Sequence, residues 1–205
     1  MRAAVATLAV SLAIVFSLGW ASNGFTALTS QKARQLAVAT EPRDVPDVEL
    51  VMANGERRML HEILSGRRGS TVVGFFYAGC QTICLTLAND FTQLQGSLTD
   101  RSDDLEVNLL SISFAPETDS PTVLQAYAKR MAAQVGIWDI AVIRHTKDLP
   151  DLYRSFGLRV IGDGKGGYVH NSAFHILSPE GKLVGIVDLA RPQAALKLAT
   201  SAAML

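Results

Sequence analysis

The stretch Thr71-Val72-Val73-Gly74-Phe75-Phe76-Tyr77-Ala78-Gly79-Cys80-Gln81-Thr82-Ile83-Cys84 decides how the rest of the chain reads. From Thr71 to Tyr77 it is a continuous β-branched and aromatic run, as expected of a central strand buried on both faces. The run stops at Ala78-Gly79. From Cys84 onward Leu87, Ala88, Phe91, Leu94 and Leu98 recur at helical spacing and form one stripe of an amphipathic helix. A strand therefore runs directly into a helix, with Cys80 and Cys84 at the junction.

The same alternation continues outward. Leu105 to Phe114 reads as a second buried strand, and Ser120-Pro121 opens a helix whose Leu124, Tyr127, Ala128 and Met131 share a face. Parallel strands joined through helices cross over right-handedly and give a sheet covered by helices. Upstream, Val48 to Met52 predicts a strand, Ala53-Asn54-Gly55 a turn, and Leu60 with Leu64 a short helix. Downstream come a short strand at Ala141 to Ile143 and a helix carrying Leu149, Leu152, Tyr153 and Phe156, stopped by Gly157. Residues 162–167 are glycine-rich and read as a flexible run. Ala173 to Leu177 and Leu183 to Val187 flank the turn Ser178-Pro179-Glu180-Gly181 as a hairpin, and Pro192 opens a closing helix. This order predicts an α/β domain with a thioredoxin-like fold, a central mixed sheet flanked by helices.

The chain has 205 residues, enough for one well-cored domain with an appendage. With 48% hydrophobic and 19% charged residues it has ample apolar surface to bury, which excludes an intrinsically disordered protein. Its 19 basic and 19 acidic residues cancel, so no bulk field draws it to nucleic acid.

Arg2 is followed by an uncharged stretch to Ser30, almost wholly apolar from Ala3 to Ala21. It reads as a cleaved signal peptide, with Gly19-Trp20-Ala21 as the small-x-small site, or as an uncleaved transmembrane anchor, since about 20 apolar residues can cross a bilayer. The length of the run and the interfacial position of Trp20 favour the anchor. A buried helix of the fold would need a polar face, and Thr7, Ser11 and Ser17 are too few to make one. Residues 1–30 are thus the export or anchor segment. Residues 31–46, with mixed charges and two prolines, read as a linker, and 47–205 as the domain.

Cys80 and Cys84 sit one helical turn apart at the start of a helix, so the pair can bridge or chelate. Unsatisfied N–H groups and the helix dipole there favour thiolate, the reactive and metal-binding form. The plainer readings are a structural disulfide or two buried apolar cysteines. A disulfide closing so short a loop would stabilise little. Of the four histidines, His61 and His145 fall in polar contexts and read as solvated, while His175 lies within a hairpin strand and could simply pack there. His170 follows the glycine-rich run at a loop position that could reach the helix N-terminus. Two soft sulfurs and an imidazole suit copper, Cu(I) especially and Cu(II) as well.

These pieces together resemble the Sco/SenC family of exported, copper-binding, thioredoxin-like proteins that help assemble cytochrome c oxidase. The matching stretches are Phe75 to Cys84, Ile112 to Pro121, His170 to Phe174 and Ser178 to Gly181, in the family's order. The resemblance implies a copper site made of Cys80, Cys84 and His170. It implies a metallochaperone at the periplasmic face of a bacterial inner membrane, delivering copper to a receiving subunit of a respiratory oxidase or to another exported cysteine-containing protein. The chain departs from the family pattern in three places: Leu85 stands where proline is usual, and Ala115 and Val169 where aspartate is frequent. All three implied ligands are retained.

An enzyme remains the alternative. The same thiols, Cys80 and Cys84, could act catalytically as an exported thiol-disulfide oxidoreductase, one attacking a partner and the other resolving the mixed disulfide. A peroxidase ranks last, because the chain lacks a Pro-x-x-x-Thr-x-x-Cys arrangement before the helix.

Overall fold

The computed structural model describes residues 2–21, 29–80, 83–100 and 107–204, with the backbone alone described at 3–6, 21, 83 and 84. The strand expected from Thr71 is β4 (Ser70–Phe76) once the chain is numbered from its start: β1 (Arg43–Asp44), β2 (Glu49–Met52), β3 (Arg57–Met59) and then β4. The remaining strands are β5 (Val107–Ser113), β6 (Trp138–Ile143), β7 (Val160–Gly162), β8 (Tyr168–His170), β9 (Ala173–Leu177) and β10 (Lys182–Asp188). Eight of them form one mixed sheet in the order β1-β10-β9-β4-β5-β6-β2-β3, and β7 pairs with β8 in a separate two-stranded ribbon. β4, β5 and β6 run parallel, while β9 pairs antiparallel on the other side of β4.

Every residue of β4 and of β5 is buried, as the unbroken apolar run required. Their side chains alternate between two cores. Val73, Phe75, Leu110 and Ile112 face one, and Val72, Phe76 and Leu109 face the other. The second core is closed by α4 (Ile83–Thr99), α5 (Pro121–Arg130) and α7 (Pro192–Ala202), through Leu87, Phe91, Leu94, Leu124, Tyr127 and Ala195. Each large apolar side chain buried this way contributes roughly 1.5–3 kcal/mol. Gly74 lets α4 approach β4 closely: a Cβ there would stand 2.7 Å from the Phe91 ring. The first core is closed by α3 (Leu60–Ser65) and α6 (Leu149–Phe156). Gly157 ends α6 in the left-handed conformation, φ 64°, where glycine carries no Cβ penalty.

Two stretches differ from the sequence expectation. Residues 31–46 are not a linker. They hold α2 (Ser30–Thr40) and β1, and β1 pairs with β10. Val38 of α2 is fully buried in the first core, and the Gln31 and Gln35 side-chain amides donate to the Asp188 carboxylate at 3.1 and 2.7 Å. The domain therefore begins at about residue 30 rather than 47. The second stretch, 162–167, is the turn of the β7–β8 ribbon, in which the Asp163 carboxylate accepts from the Lys165 and Gly167 amides, both at 2.8 Å. Ahead of the domain lies α1 (Arg2–Ala21), with the large apolar side chains from Leu8 to Trp20 exposed. Among the described residues, no helix is long and apolar enough to cross a membrane.

Candidate metal centre

The two buried faces of β4 end at Phe76, and the chain turns through Tyr77, Ala78 and Gly79 into Cys80, whose amide donates to the Tyr77 carbonyl at 3.2 Å. A buried carboxylate fixes this turn. Asp119, 2% exposed, accepts from the Ala78 amide at 2.8 Å and from the Ser113 hydroxyl at 2.5 Å, and its other oxygen accepts from Thr118 at 3.1 Å. The segment before α5 is thereby tied to the cysteine turn and to the end of β5. Cys80 itself is 6% exposed and joins the apolar cluster containing Phe76, Ala88 and Tyr127. Cys84 lies in the first turn of α4, while its side chain, with Gln81 and Thr82, is outside the described residues.

Tyr77 also positions the β7–β8 ribbon. Its hydroxyl accepts from the Tyr168 amide at 3.3 Å and approaches the Tyr168 carbonyl at 3.5 Å, and the two rings meet edge to face at 5.2 Å. His170 follows two residues later, 6% exposed, with its ring edge to face against Phe114 at 5.0 Å. Phe114 also packs on Tyr77 and Tyr168, so one aromatic cluster spans the ends of β4, β5 and β8. The His170 Nδ1 is 3.2 Å from both the Asn171 carbonyl and the Ser172 hydroxyl. Burial lowers the His170 pKa, only partly offset by the hydrogen bond to Asn171, which favours the neutral imidazole at neutral pH. In the same cluster burial, followed by the neighbouring Tyr168, raises the Tyr153 hydroxyl to about 12.

Beside the cysteine turn opens a cleft of about 760 Å³, floored by Tyr77 and Gly79 and walled by Tyr127 and Arg130 of α5 and by Lys165 and Val169 of the ribbon. Val169, next to His170, is 66% exposed; Ala115 is buried, with its amide on the Ser113 hydroxyl at 3.1 Å. The other histidines lie elsewhere in the fold. His145 pairs with Glu49 at 3.2 Å, and His61 packs against Gly181. His175 is enclosed between Phe75 and Phe156 in the first core and makes no hydrogen bond of normal geometry among the described residues, though the backbones of Val73 and Phe156 are nearby. Among the described residues, no three His, Cys, Asp or Glu side chains gather into a metal cluster.

The sequence profile of the SCO1/SenC family matches residues 40–204, which covers the sheet, the cysteine turn and the His170 ribbon together. The chain belongs to the SCO1/SenC family. A Sco relative, the SCO1 protein homolog of Bacillus subtilis strain 168, is 27% identical over 112 residues, covering 54% of this chain and 57% of that protein. Among solved structures the chain resembles BsSco, a member of the Sco family of cytochrome c oxidase assembly proteins, at 22% identity and a TM-score of 0.68, covering 80% of this chain and 96% of that one. It likewise resembles the Arabidopsis thaliana ScoI structure with copper bound, at 16% identity and a TM-score of 0.65 over 78% of this chain and 98% of that one. These likenesses establish the expected mixed-sheet, thioredoxin-like Sco fold.

Sequence reasoning singled out Cys80, Cys84 and His170 but assigned nothing to Asp119 or Tyr77. Asp119 sits directly before the Ser120-Pro121 helix start, where an acidic residue reads as ordinary helix-start chemistry. Tyr77 closes the apolar run with a hydroxyl-bearing ring, which was the available signal.

Proposed function

We propose that this Sco/SenC protein is a copper metallochaperone, with copper as cargo held by the Cys80 and Cys84 thiolates and the His170 imidazole. The observation that carries the reading is the Tyr77–Tyr168 hydrogen bond with its shared aromatic cluster. It ties the turn leading into Cys80 to the strand that ends at His170. The donor set suits the metal: soft thiolates select Cu(I), and an added imidazole also accommodates Cu(II). The start of α4 favours thiolate at Cys84, in its first turn. A His170 ring held neutral by burial, with Nδ1 engaged by Asn171 and Ser172, has the outer-shell arrangement usual for metal-ligating histidine.

On this reading the cargo passes by ligand exchange to a partner that presents its own soft ligands, namely a copper-receiving subunit of a respiratory oxidase. The Arabidopsis ScoI structure with copper bound and the assembly role of the BsSco family support this direction. The apolar segment 1–30 would export the chain and hold it at the outer face of a bacterial inner membrane. Val169 and Leu85, both exposed beside the ligands, put apolar surface where the family pattern has aspartate and proline, so the client surface is expected to be less basic than in typical Sco pairs.

The test is Cu(I) retention by the reduced full-length chain against a chelator. Wild type should hold one copper, Cys80→Ser and Cys84→Ser should hold almost none, and His170→Ala should bind at least about tenfold more weakly. His61→Ala and His145→Ala should bind as wild type does. Failure of the wild type to retain copper overturns the proposal.

A further inference from the structure

A second cleft, of about 620 Å³, lies where the chain enters the domain. Its walls include Ser30 and Arg34 of α2, Arg154 of α6, Arg159 and Asn171. None of the described residues lining it is acidic. The Arg34 guanidinium donates to the Phe156 and Gly157 carbonyls at the end of α6 and to the Gln31 side chain, while its buried Nε has no hydrogen-bond partner among the described residues. Burial and then the like charges of Arg159 and Arg43 lower the Arg34 pKa, so positive charge converges here beyond what Asp188 offsets. The nearby carboxylates are already engaged: Asp188 by Gln31, Gln35 and Lys32, and Asp151 by Arg154. Arg159 forms no ion pair among the described residues and its side chain is exposed.

Convergent arginines in a concave, acid-free wall fit a phosphate group, which accepts from several guanidinium N–H donors at once. The place of the cleft says which phosphate. Ser30 lines it, and the chain from Ala21 at the end of α1 to Ser30 can reach at most about 30 Å. With the apolar segment 1–30 held at a bilayer, as the export reading has it, the cleft is tethered close to the headgroups, at high effective concentration. We infer that the Arg34–Arg154–Arg159 cleft binds the phosphate of an anionic membrane lipid, orienting the domain on the membrane. This inference rests on the export reading of residues 1–30 and is independent of the copper ligands.

The test follows amide hydrogen exchange at 30–34 and 154–159 of the full-length chain in nanodiscs, made of phosphatidylcholine alone or with phosphatidylglycerol. Phosphatidylglycerol should slow exchange in those segments by up to about 25-fold at low salt, since a basic side chain near an anionic surface is worth about fivefold in binding and two exposed arginines contribute. The slowing should vanish with the double substitution Arg154→Gln and Arg159→Gln, while exchange in β4 stays unchanged in both lipids. Equal exchange in the two lipids, or an unaltered response of the double variant, overturns the inference. If millimolar inorganic phosphate added to phosphatidylcholine discs reproduces the full slowing, the ligand is a soluble anion and the lipid assignment is wrong. A chain that elutes free of both kinds of disc refutes the export reading itself, and with it this inference; a chain that stays bound without responding to phosphatidylglycerol refutes the inference alone.

Discussion

His175 shows how one core residue sets the pH response of the whole fold. Burial between Phe75 and Phe156, and secondarily the charge of Arg34, push its pKa from 6.5 down to about 3. Above about pH 6.5 the ring is neutral in both folded and unfolded chains and its titration costs nothing. Below that, the unfolded chain takes up a proton that the fold excludes until about pH 3, so stability falls by up to roughly 1.4 kcal/mol per pH unit. Denaturant unfolding at pH 7.5 and 4.5 should therefore show a loss larger by about 2–3 kcal/mol in wild type than in His175→Leu. Equal losses would mean that His175 titrates normally in the fold. Of the residues around the candidate centre, Cys80, Cys84 and His170 were legible as a type and a spacing. Asp119 was not, because a buried acceptor for the Ala78 amide and the Ser113 hydroxyl is a property of the folded turn and leaves no local pattern.

At the scale of elements, the β7–β8 ribbon carries His170 without belonging to the main sheet, so its placement depends on a few side chains rather than on a ladder. Tyr77→Phe keeps the ring contacts and removes the hydroxyl that accepts from the Tyr168 amide, a change of about 1 kcal/mol. It should lower the thermal unfolding midpoint by only about 2–4 °C while speeding amide exchange at Tyr168 and weakening Cu(I) binding. If copper affinity and Tyr168 exchange both match wild type, the ribbon is held by other means. The ribbon also marks where pattern reading stopped. Strands β4 and β5 and helix α4 announce themselves because long apolar runs and stripes persist over many residues. A three-residue strand such as Val160–Gly162, ending in a glycine and with Ile161 exposed, has too little periodicity to stand out.

The molecule as a whole includes its first helix-bearing arm. The α2 segment looked like a linker because little of its surface is apolar; it docks through Val38, through the Arg34 bonds to the end of α6 and through the glutamine bonds to Asp188. A chain starting at Glu41 should lose about 3 kcal/mol of stability, where removing a true linker would leave denaturant unfolding unchanged. The arm, the ribbon and the cysteine turn together make a frame in which the ends of β4, β5 and β8 share one aromatic cluster, and the copper proposal depends on that frame delivering His170 to the thiolates. X-ray absorption at the copper edge of the Cu(I)-loaded, full-length chain tests this most directly. The account predicts two sulfur scatterers and one imidazole nitrogen in wild type, with the imidazole signal lost in His170→Ala and retained in His175→Leu. A sulfur-only shell in wild type, or an imidazole signal that survives His170→Ala, would contradict it.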